Sequence, residues 1–300
     1  MISFLKEKIK NKNLNFVDLI EGIPEFSNDN HYKKSIELWG KGNHSSNKDK
    51  HDGGDTHIEK IIEHFGEEDF KKENFLEIGC GEGIDLKYVI DKYMFKNVFA
   101  VDLGENIENL SKREYFNNIN FIRCDCLNLP FKDNCFDIIY SYGVFHHTKD
   151  FSQSLIEAKR VLNENGVLIF YTYKEHENKF KKYGVYIETL LIKLFSKLDY
   201  KIVKVLCYIL TPFILFFFSY PAQLLKMFGS KNFYKRFPLW WGTSPKNIIH
   251  DLTDRLYAPI NLRFNKDSLK DILVNLGFLD ISILNVRDGL FCRVKKNEKK

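Results

Sequence analysis

Glycines and acids alternate over a short segment that reads Leu76-Glu77-Ile78-Gly79-Cys80-Gly81-Glu82-Gly83. A glycine turn of this kind lets the backbone approach a ligand closely, and it opens a helix. The dinucleotide fingerprint needs its third glycine three positions after the second, but Ile84 stands there and the pattern is G-x-G-x-G. The segment therefore predicts a small-molecule site after a strand. It counts against a nicotinamide-dependent oxidoreductase, although binding of labelled nicotinamide cofactor would restore that alternative.

Further acids and histidines follow the ends of later apolar runs. Asp102 ends the run Val98–Asp102 and follows Gly83 by 19 residues, the separation of a βαβ unit. Cys124-Asp125-Cys126-Leu127 follows a third run, and His146-His147 follows a fourth. Carboxyl ends of parallel strands meet at one edge of a sheet, so these residues are expected to converge.

The elements that must position these residues alternate between strand and helix signals. Strands are predicted at 74–78, 97–101, 119–123, 136–141, 166–173, 279–286 and 290–294. Helices are predicted at 58–65, 85–93, 106–116, 151–162 and 267–276. Such alternation indicates a parallel sheet covered by helices, and Asp288-Gly289 predicts a closing hairpin.

These pieces resemble, in order and spacing, the motifs of class I, Rossmann-like S-adenosylmethionine-dependent methyltransferases of the small-molecule (UbiE-like) type. The resemblance covers about residues 75–173 and 266–295. It implies an α/β fold: a doubly wound, mostly parallel seven-stranded sheet with an antiparallel terminal strand. It also implies a largely helical insertion between strands 5 and 6.

The resemblance implies S-adenosyl-L-methionine as cofactor and a set of residues that bind it. Asp102 would take both ribose hydroxyls with its two oxygens, and Asp125 would accept from the adenine amino group. Asp102 as a helix N-cap and Asp125 as a solvated loop acid are the plainer alternatives. An aromatic face at Trp39, Tyr142 or Phe145 would suit the sulfonium. The predicted cofactor-binding residues are Glu77, Gly79, Cys80, Gly81, Gly83, Asp102, Leu103, Asp125, Cys126, Ser141, Tyr142 and Trp39.

The general base stays open at this stage. A hydroxyl or carbon acceptor needs proton removal, and histidine is the usual agent near neutral pH. His147 and His250 are the two predicted catalytic residues, with Asp251 and Asp254 as further options. One residue of the pair His146-His147 is expected to be packed or capping, and Cys126 is expected to pack rather than react.

The chain is predicted to have four segments. Residues 1–56 form an N-terminal arm over the cofactor site, 57–173 the cofactor-binding core, 174–264 an apolar helical lid, and 265–300 the rest of the core sheet. Val205–Leu225 carries no charge over 21 residues and is flanked by Lys204 and Lys226. Three interpretations remain: a lid core or dimer surface, a monotopic or re-entrant membrane patch, or a span paired with a second crossing.

Composition sets the remaining expectations. A net charge of +5 over 300 residues is small, so no nucleic-acid partner is expected. Six scattered cysteines lack zinc spacing, so no metal is expected, and they indicate a reduced, cytoplasmic protein. The protein would lie peripherally at a membrane if Val205–Leu225 docks there. The acceptor is expected to be a small molecule, lipid or lipid-linked. A non-catalytic scaffold or membrane adaptor is the alternative.

Overall fold

The computed structural model describes residues 34–35, 37–38, 57–175, 186, 189–195, 197–229, 234, 244–286 and 289–296. The chain divides into two compact units. The first comprises Met1–His176 and Ile260–Lys300, and the second comprises Glu177–Pro259. The second unit therefore falls inside the insertion predicted at 174–264.

Seven strands form one sheet in the first unit. They are β1 Asn74–Ile78, β2 Asn97–Asp102, β3 Ile119–Arg123, β4 Phe136–Tyr142, β5 Leu162–Tyr173, β6 Phe278–Asn285 and β7 Gly289–Lys296. The strand order is β3-β2-β1-β4-β5-β7-β6. Strands β1 to β5 pair in parallel, while β7 is antiparallel to both of its neighbours, β5 and β6. The predicted doubly wound fold with an antiparallel terminal strand is confirmed.

The helices are α1 His57–Phe65, α2 Ile84–Lys92, α3 Asn106–Ser111, α4 Phe151–Val161, α5 Tyr200–Ile214, α6 Tyr220–Met227, α7 Pro245–Tyr257 and α8 Lys266–Asn275. Bounds were predicted for five of them, and all but one of these five begin and end within one residue of the prediction. Helices α5, α6 and α7 lie in the insertion, for which no individual helix was predicted. The exception is α3, which was predicted to run to Phe116 but ends at Ser111. Arg113 is extended there, and a separate 3-10 turn, Glu114–Phe116, follows it. This turn brings the ring of Phe116 over Gly83.

Alternate residues of each strand pack into two hydrophobic cores on opposite faces of the sheet. On β1, Leu76 and Ile78 join one core, while Phe75 joins the other. Residues buried on both sides explain why these strands read as continuous apolar runs. Because both faces of the sheet are packed, it holds the loops that follow β1 to β4 in place at one edge.

Arg293 on β7 makes a buried double contact that fixes the last strand. Its Nε and one terminal nitrogen donate to the two carboxylate oxygens of Asp69, at 2.6 Å and 3.1 Å. The other terminal nitrogen donates to Asp280 on β6 at 2.9 Å. The pair with Asp69 links β7 to the 3-10 turn that precedes β1, so the two ends of this unit's fold are tied together.

Two helical segments pack side by side in the second unit. Helices α5 and α6 join through a π-helical turn, Leu215–Ser219, into one helix of 28 residues. Among the described residues, this is the one helix whose length and composition would allow it to cross a membrane. Helix α7 runs antiparallel beside α5, with Tyr257 against Tyr200 and Ile248 against Leu215.

Candidate cofactor site

A cavity of about 370 Å³ opens at the carboxyl edge of the sheet, beside the point where strand order reverses between β1 and β4. Ligands of open α/β sheets bind at this kind of switch point. The loops after all of the first four strands line the cavity. The lining includes Glu77, Gly79, Cys80, Gly81, Asp102, Leu103, Asp125, Cys126, Tyr142 and His147.

The glycine turn after β1 has a backbone shape that side chains would disrupt. The amides of Gly79 and Cys80 both donate to the carbonyl of Val101, at 2.7 Å and 3.2 Å. Gly79 has φ +78°, and a Cβ on it would lie 2.1 Å from a methyl group of Val144. Gly83 also has a positive φ, +75°, and it precedes the first residue of α2. The turn thus leaves its backbone open to the cavity.

Asp102 holds two loops in place with its carboxylate. One oxygen accepts from the amide of Gly81 at 2.9 Å, and the other accepts from the amide of Gly104 at 2.7 Å. Burial raises the pKa of Asp102, while hydrogen bonds from the amides of Gly104, Gly81 and Leu103 act in the opposite direction. The two oxygens together offer about four acceptor positions, more than these amides occupy. The group can therefore accept further donors from within the cavity.

Glu77 is a buried acid with an unsatisfied oxygen. Its side chain is 3% exposed, and Oε2 has no hydrogen-bond partner among the described residues. Burial raises its pKa well above the usual value, and the charges of Asp85 and Asp102 add to that effect. A buried acceptor of this kind carries a cost unless a donor reaches it. The three acids together favour a cation in this part of the cavity.

The acid and thiols of the third loop have local roles. Asp125 accepts from the amide of Leu127 at 3.0 Å and so shapes its own turn. The thiols of Cys80 and Cys126 are buried, and burial raises the pKa of each. Since a thiol of raised pKa is a poor nucleophile, both residues contribute shape to the cavity wall.

The two adjacent histidines occupy different environments. The His147 ring lines the cavity, and its Nδ1 lies 2.7 Å from the carbonyl oxygen of Ile260. Because a carbonyl oxygen only accepts, Nδ1 carries the proton and Nε2 keeps its lone pair. His146 is fully buried, neither of its ring nitrogens has a hydrogen-bond partner among the described residues, and its ring centroid lies 4.0 Å from that of Tyr173. Burial lowers the pKa of His146 well below its usual value, so it is neutral packing.

Among the cavity residues that the sequence predictions missed are His57 and Asp85. His57 stacks on Tyr142 at 3.9 Å, and Tyr142 stacks in turn on Tyr171 at 4.4 Å. Asp85 accepts from the hydroxyl of Tyr140 at 2.7 Å and from the amide of His57 at 3.1 Å. Asp85 had a sequence signal, since it stands in the first turn of α2, two residues after Gly83. His57 had none, because its place depends on tertiary packing of α1.

Several predicted residues lie elsewhere. Ser141 is buried outside the cavity lining and donates to the carbonyl of Ile78 at 3.0 Å. Phe145 packs within the hydrophobic core. Trp39 and the side chain of His250 fall outside the described residues, although the backbone of His250 belongs to α7 in the second unit. Of the N-terminal arm, Ser35 is described and lines the cavity.

Within the part of the chain that the structure describes, no group of three or more histidine, cysteine or acidic side chains could hold a metal ion. All six cysteines are free and buried. The cavity's chemistry rests on its carboxylates, its aromatic rings, its open backbone and the imidazoles of His57 and His147.

Comparison with known proteins identifies the same segment. Residues 76–170 match a family profile described as "Methyltransferase domain". This range holds the glycine turn, Asp102, Asp125 and His147, and the resemblance to class I methyltransferases is confirmed for it.

Individual relatives match over limited stretches. The chain is 31% identical over 96 residues to phthiotriol/phenolphthiotriol dimycocerosates methyltransferase 1 of Mycobacterium ulcerans, covering 32% of this chain and 35% of that one. It is 29% identical over 131 residues to demethylmenaquinone methyltransferase of Staphylococcus haemolyticus, covering 41% and 54%. The chain thus spans between a third and about half of the length of these relatives.

One solved structure matches much of the chain at low similarity. It is Burkholderia thailandensis 1,6-didemethyltoxoflavin-N1-methyltransferase, with bound 1,6-didemethyltoxoflavin and S-adenosylhomocysteine. The TM-score is 0.44 at 13% identity, over 80% of this chain and 76% of that one.

Replacing Glu77 with glutamine should stabilise the ligand-free protein increasingly as pH rises. The folded-state pKa of Glu77 lies above its unfolded value, so the folded state keeps a proton that the unfolded state releases. Wild type should therefore lose stability relative to Glu77→Gln as the pH rises above the unfolded-state pKa of about 4.3, by at most about 1.4 kcal/mol per pH unit. Denaturant unfolding at several pH values measures this difference. The exposed Glu73→Gln is the control, and parallel stability curves for wild type and Glu77→Gln would contradict the assignment.

Replacing Gly79 with alanine should cost about 2–4 kcal/mol of unfolding free energy, through the positive φ and the collision with Val144. Adding Val144→Ala should restore the part of the unfolding free energy that the collision removes, so that a loss of about 1–2 kcal/mol from backbone strain remains. A double-mutant cycle in urea, with Val144→Ala alone as its fourth corner, measures the coupling. Strict additivity of the two changes would refute the predicted contact.

Proposed function

We propose that this chain is an S-adenosylmethionine-dependent methyltransferase whose acceptor is a small molecule of lipid or lipid-linked type. The observation that carries the proposal is the Asp102 carboxylate, held by the Gly81 and Gly104 amides at the mouth of the switch-point cavity. A carboxylate fixed in this way suits a vicinal diol, because each oxygen can accept one hydroxyl.

The cavity residues fit this cofactor in charge and in hydrogen bonding. Its volume of about 370 Å³ lies in the range of small-molecule sites. Oε2 of Glu77 lacks a donor, which an ammonium group would supply. Gly79 leaves space where any side chain would collide with Val144. Asp125 also lines the cavity, where it would accept from an adenine amino group.

When bound, S-adenosylmethionine supplies an electrophilic methyl group on a cationic sulfur. The chain's own residues provide position and environment. The acids Glu77, Asp85 and Asp102 favour positive charge, and the stacked rings of Tyr142 and His57 offer aromatic faces to it. Aligning the acceptor with the methyl group accounts for much of the rate in such displacements.

His147 is our proposed general base for a hydroxyl or carbon acceptor. The Ile260 carbonyl fixes its tautomer, so Nε2 can take a proton without prior rearrangement. His250, Asp251 and Asp254 remain alternatives in the second unit, where their side chains are outside the described residues. An acceptor that is already a good nucleophile would bypass this step.

The acceptor class is proposed on two grounds. The relatives that the chain matches are named for phthiotriol/phenolphthiotriol dimycocerosates and for demethylmenaquinone. The second unit also exposes a long apolar helix. We propose that residues 174–264 select the acceptor and that the arm 1–56 covers the cofactor. A cytoplasmic chain that touches a membrane peripherally fits both ideas.

A non-catalytic scaffold is the competing function. It would keep the fold without cofactor binding, so failure of the folded protein to bind S-adenosylmethionine would favour it. The intact combination of Glu77, Gly79, Asp102 and Asp125 around one cavity argues for binding.

Replacing Asp102 with asparagine should weaken S-adenosylmethionine binding about tenfold or more, because the amide nitrogen can donate but cannot accept a ribose hydroxyl. Calorimetric titration of wild type and variant measures the dissociation constants. Asp91→Asn on the exposed face of α2 is the matched control and should bind as wild type does. Equal affinity in all three proteins would contradict the ribose contact. Binding of NAD in place of S-adenosylmethionine would overturn the proposed cofactor.

Replacing His147 with asparagine should lower turnover about 10²–10⁴-fold and leave cofactor affinity unchanged. The asparagine amide can still donate to the Ile260 carbonyl, but it offers no base. Transfer of labelled methyl from S-adenosylmethionine to demethylmenaquinone and to a bacterial lipid extract measures turnover across pH. Wild type should lose rate on the acid side, and the variant should not. His64→Asn, at an exposed position of α1, is the control. A His147→Asn variant as active as wild type would remove His147 from the mechanism.

A further inference from the structure

The 28-residue helix Tyr200–Met227 presents an apolar surface to its surroundings. Phe213, Phe216 and Phe217 are 59%, 69% and 59% exposed, and they lie near its middle. Exposed apolar side chains continue along its length, namely Ile202, Val205, Tyr208, Ile209, Leu210, Phe218, Tyr220 and Leu224. Soluble proteins rarely expose a contiguous apolar surface of this extent without a partner.

The buried stripe of the same helix mixes apolar and small polar side chains. It consists of Tyr200, Val203, Cys207, Thr211, Leu215, Ser219 and Ala222, at intervals of three to four residues. The Thr211 hydroxyl donates to the carbonyl of Cys207 at 2.7 Å. An ordinary surface helix buries its apolar stripe and exposes a polar face. This helix is apolar on its exposed side as well, which indicates an apolar outer environment.

The shape of the apolar surface favours lipid over a protein partner. Tyr208, Ile209 and Leu210 are consecutive in α5 and all exposed, and consecutive residues of an α-helix point about 100° apart. The exposed apolar surface therefore covers more than half of the helix circumference. A flat partner face would leave part of it in water, whereas acyl chains conform to a convex surface.

Charge around the helix complements an anionic lipid surface. Between residues 189 and 229 the sequence carries five lysines, at 193, 197, 201, 204 and 226, against one acid, Asp199. Lys201 and Lys226 are exposed near opposite ends of the helix. Lysines at such positions can keep their charge at the headgroups while their stems cover apolar surface.

An orientation in the plane of the membrane fits the neighbouring helix. Helix α7 packs along α5, and its sequence includes Lys246, Asp251, Asp254 and Arg255. A spanning helix would carry these charges into hydrocarbon, at high cost. Connectivity gives the same answer, because β5 before the helix and β7 after it pair in one sheet. A single crossing would separate two strands that are hydrogen-bonded to each other.

We infer that Tyr200–Met227 docks this protein onto an anionic lipid bilayer as a monotopic helix, lying in the interface with its phenylalanine-rich side in the acyl chains. The inference adds a membrane location to the proposed lipid-linked acceptor. Only this link to the acceptor rests on the proposed function. Docking itself needs neither cofactor nor methyl transfer.

Vesicle flotation of the full chain tests the docking. The protein should float with vesicles of phosphatidylcholine and phosphatidylglycerol, and less with phosphatidylcholine alone. Phe213→Glu should lower the partition coefficient about tenfold or more, since it removes one buried phenylalanine and adds a charge. Met94→Glu, a change at a 97% exposed residue of the first unit, is the matched control and should float as wild type does.

Lysine reversal tests the charge contribution separately. Lys201→Glu with Lys226→Glu should abolish the preference for anionic vesicles. Lys112→Glu with Lys132→Glu, which reverses two exposed lysines of the first unit, should keep it. Equal loss in both double variants would show a net-charge effect and overturn the docking surface.

Depth measurement distinguishes lying from spanning. All six native cysteines are buried, so single cysteines placed at Val205, Phe216 and Leu224 can be labelled selectively with a fluorophore. Quenching by lipids labelled at known depth should place all three about 5–10 Å below the headgroups. A label at residue 216 about 15 Å deep, with shallow labels at both ends, would overturn the in-plane orientation.

Two further outcomes would overturn lipid as the partner. One is a protein that binds S-adenosylmethionine but never floats. The other is a stable dimer that Phe213→Glu dissociates and vesicles do not. Flotation without S-adenosylmethionine binding would support docking and count against the proposed function alone, so the two failures are distinguishable.

Discussion

The Asp102 carboxylate is the contact on which the geometry of the cavity depends. It joins the glycine turn after β1 to the loop after β2 through one hydrogen bond from each. Parallel strands bring these loops to one edge, and this shared acceptor, together with the Val101 carbonyl that accepts from Gly79 and Cys80, fixes the distance between them. The nearby Glu77 keeps an unsatisfied oxygen in the same space. The fold thus holds acidic groups together at a cost in stability that a cationic ligand can offset.

Much of this arrangement was readable in the sequence. Strands buried on both faces leave continuous apolar runs, and each loop bearing an acid follows such a run. The glycine pattern predicted a turn, and the structure shows why glycine is needed there: any Cβ at Gly79 would collide with Val144. The break in α3 was not readable, since it serves a packing contact between Phe116 and Gly83. Ser141 was assigned to the cavity although its hydroxyl donates to the neighbouring strand, a direction that composition does not reveal.

Residues that depend on distant packing were beyond sequence reasoning. His57 and Tyr142 are separated by 85 positions, yet their rings stack at 3.9 Å because α1 packs against the sheet. The two adjacent histidines look alike in the sequence, but the 3-10 turn Phe145–His147 places one in the core and one at the cavity. Only His147 reaches a carbonyl that can set its tautomer. Roles of this kind arise from tertiary structure.

The position of β7 has a consequence for how the chain is made. Strand β7 lies between β5 and β6, yet it is translated after both of them and after the apolar helix. Until residues 289–296 have been added, one edge of β5 has no partner, and the phenylalanine-rich helix at residues 200–227 leaves the ribosome before them. An unpaired strand edge and an apolar surface in one nascent chain are the features that invite aggregation. Early binding of the helix by a chaperone or a bilayer would therefore protect this protein from aggregation during its synthesis.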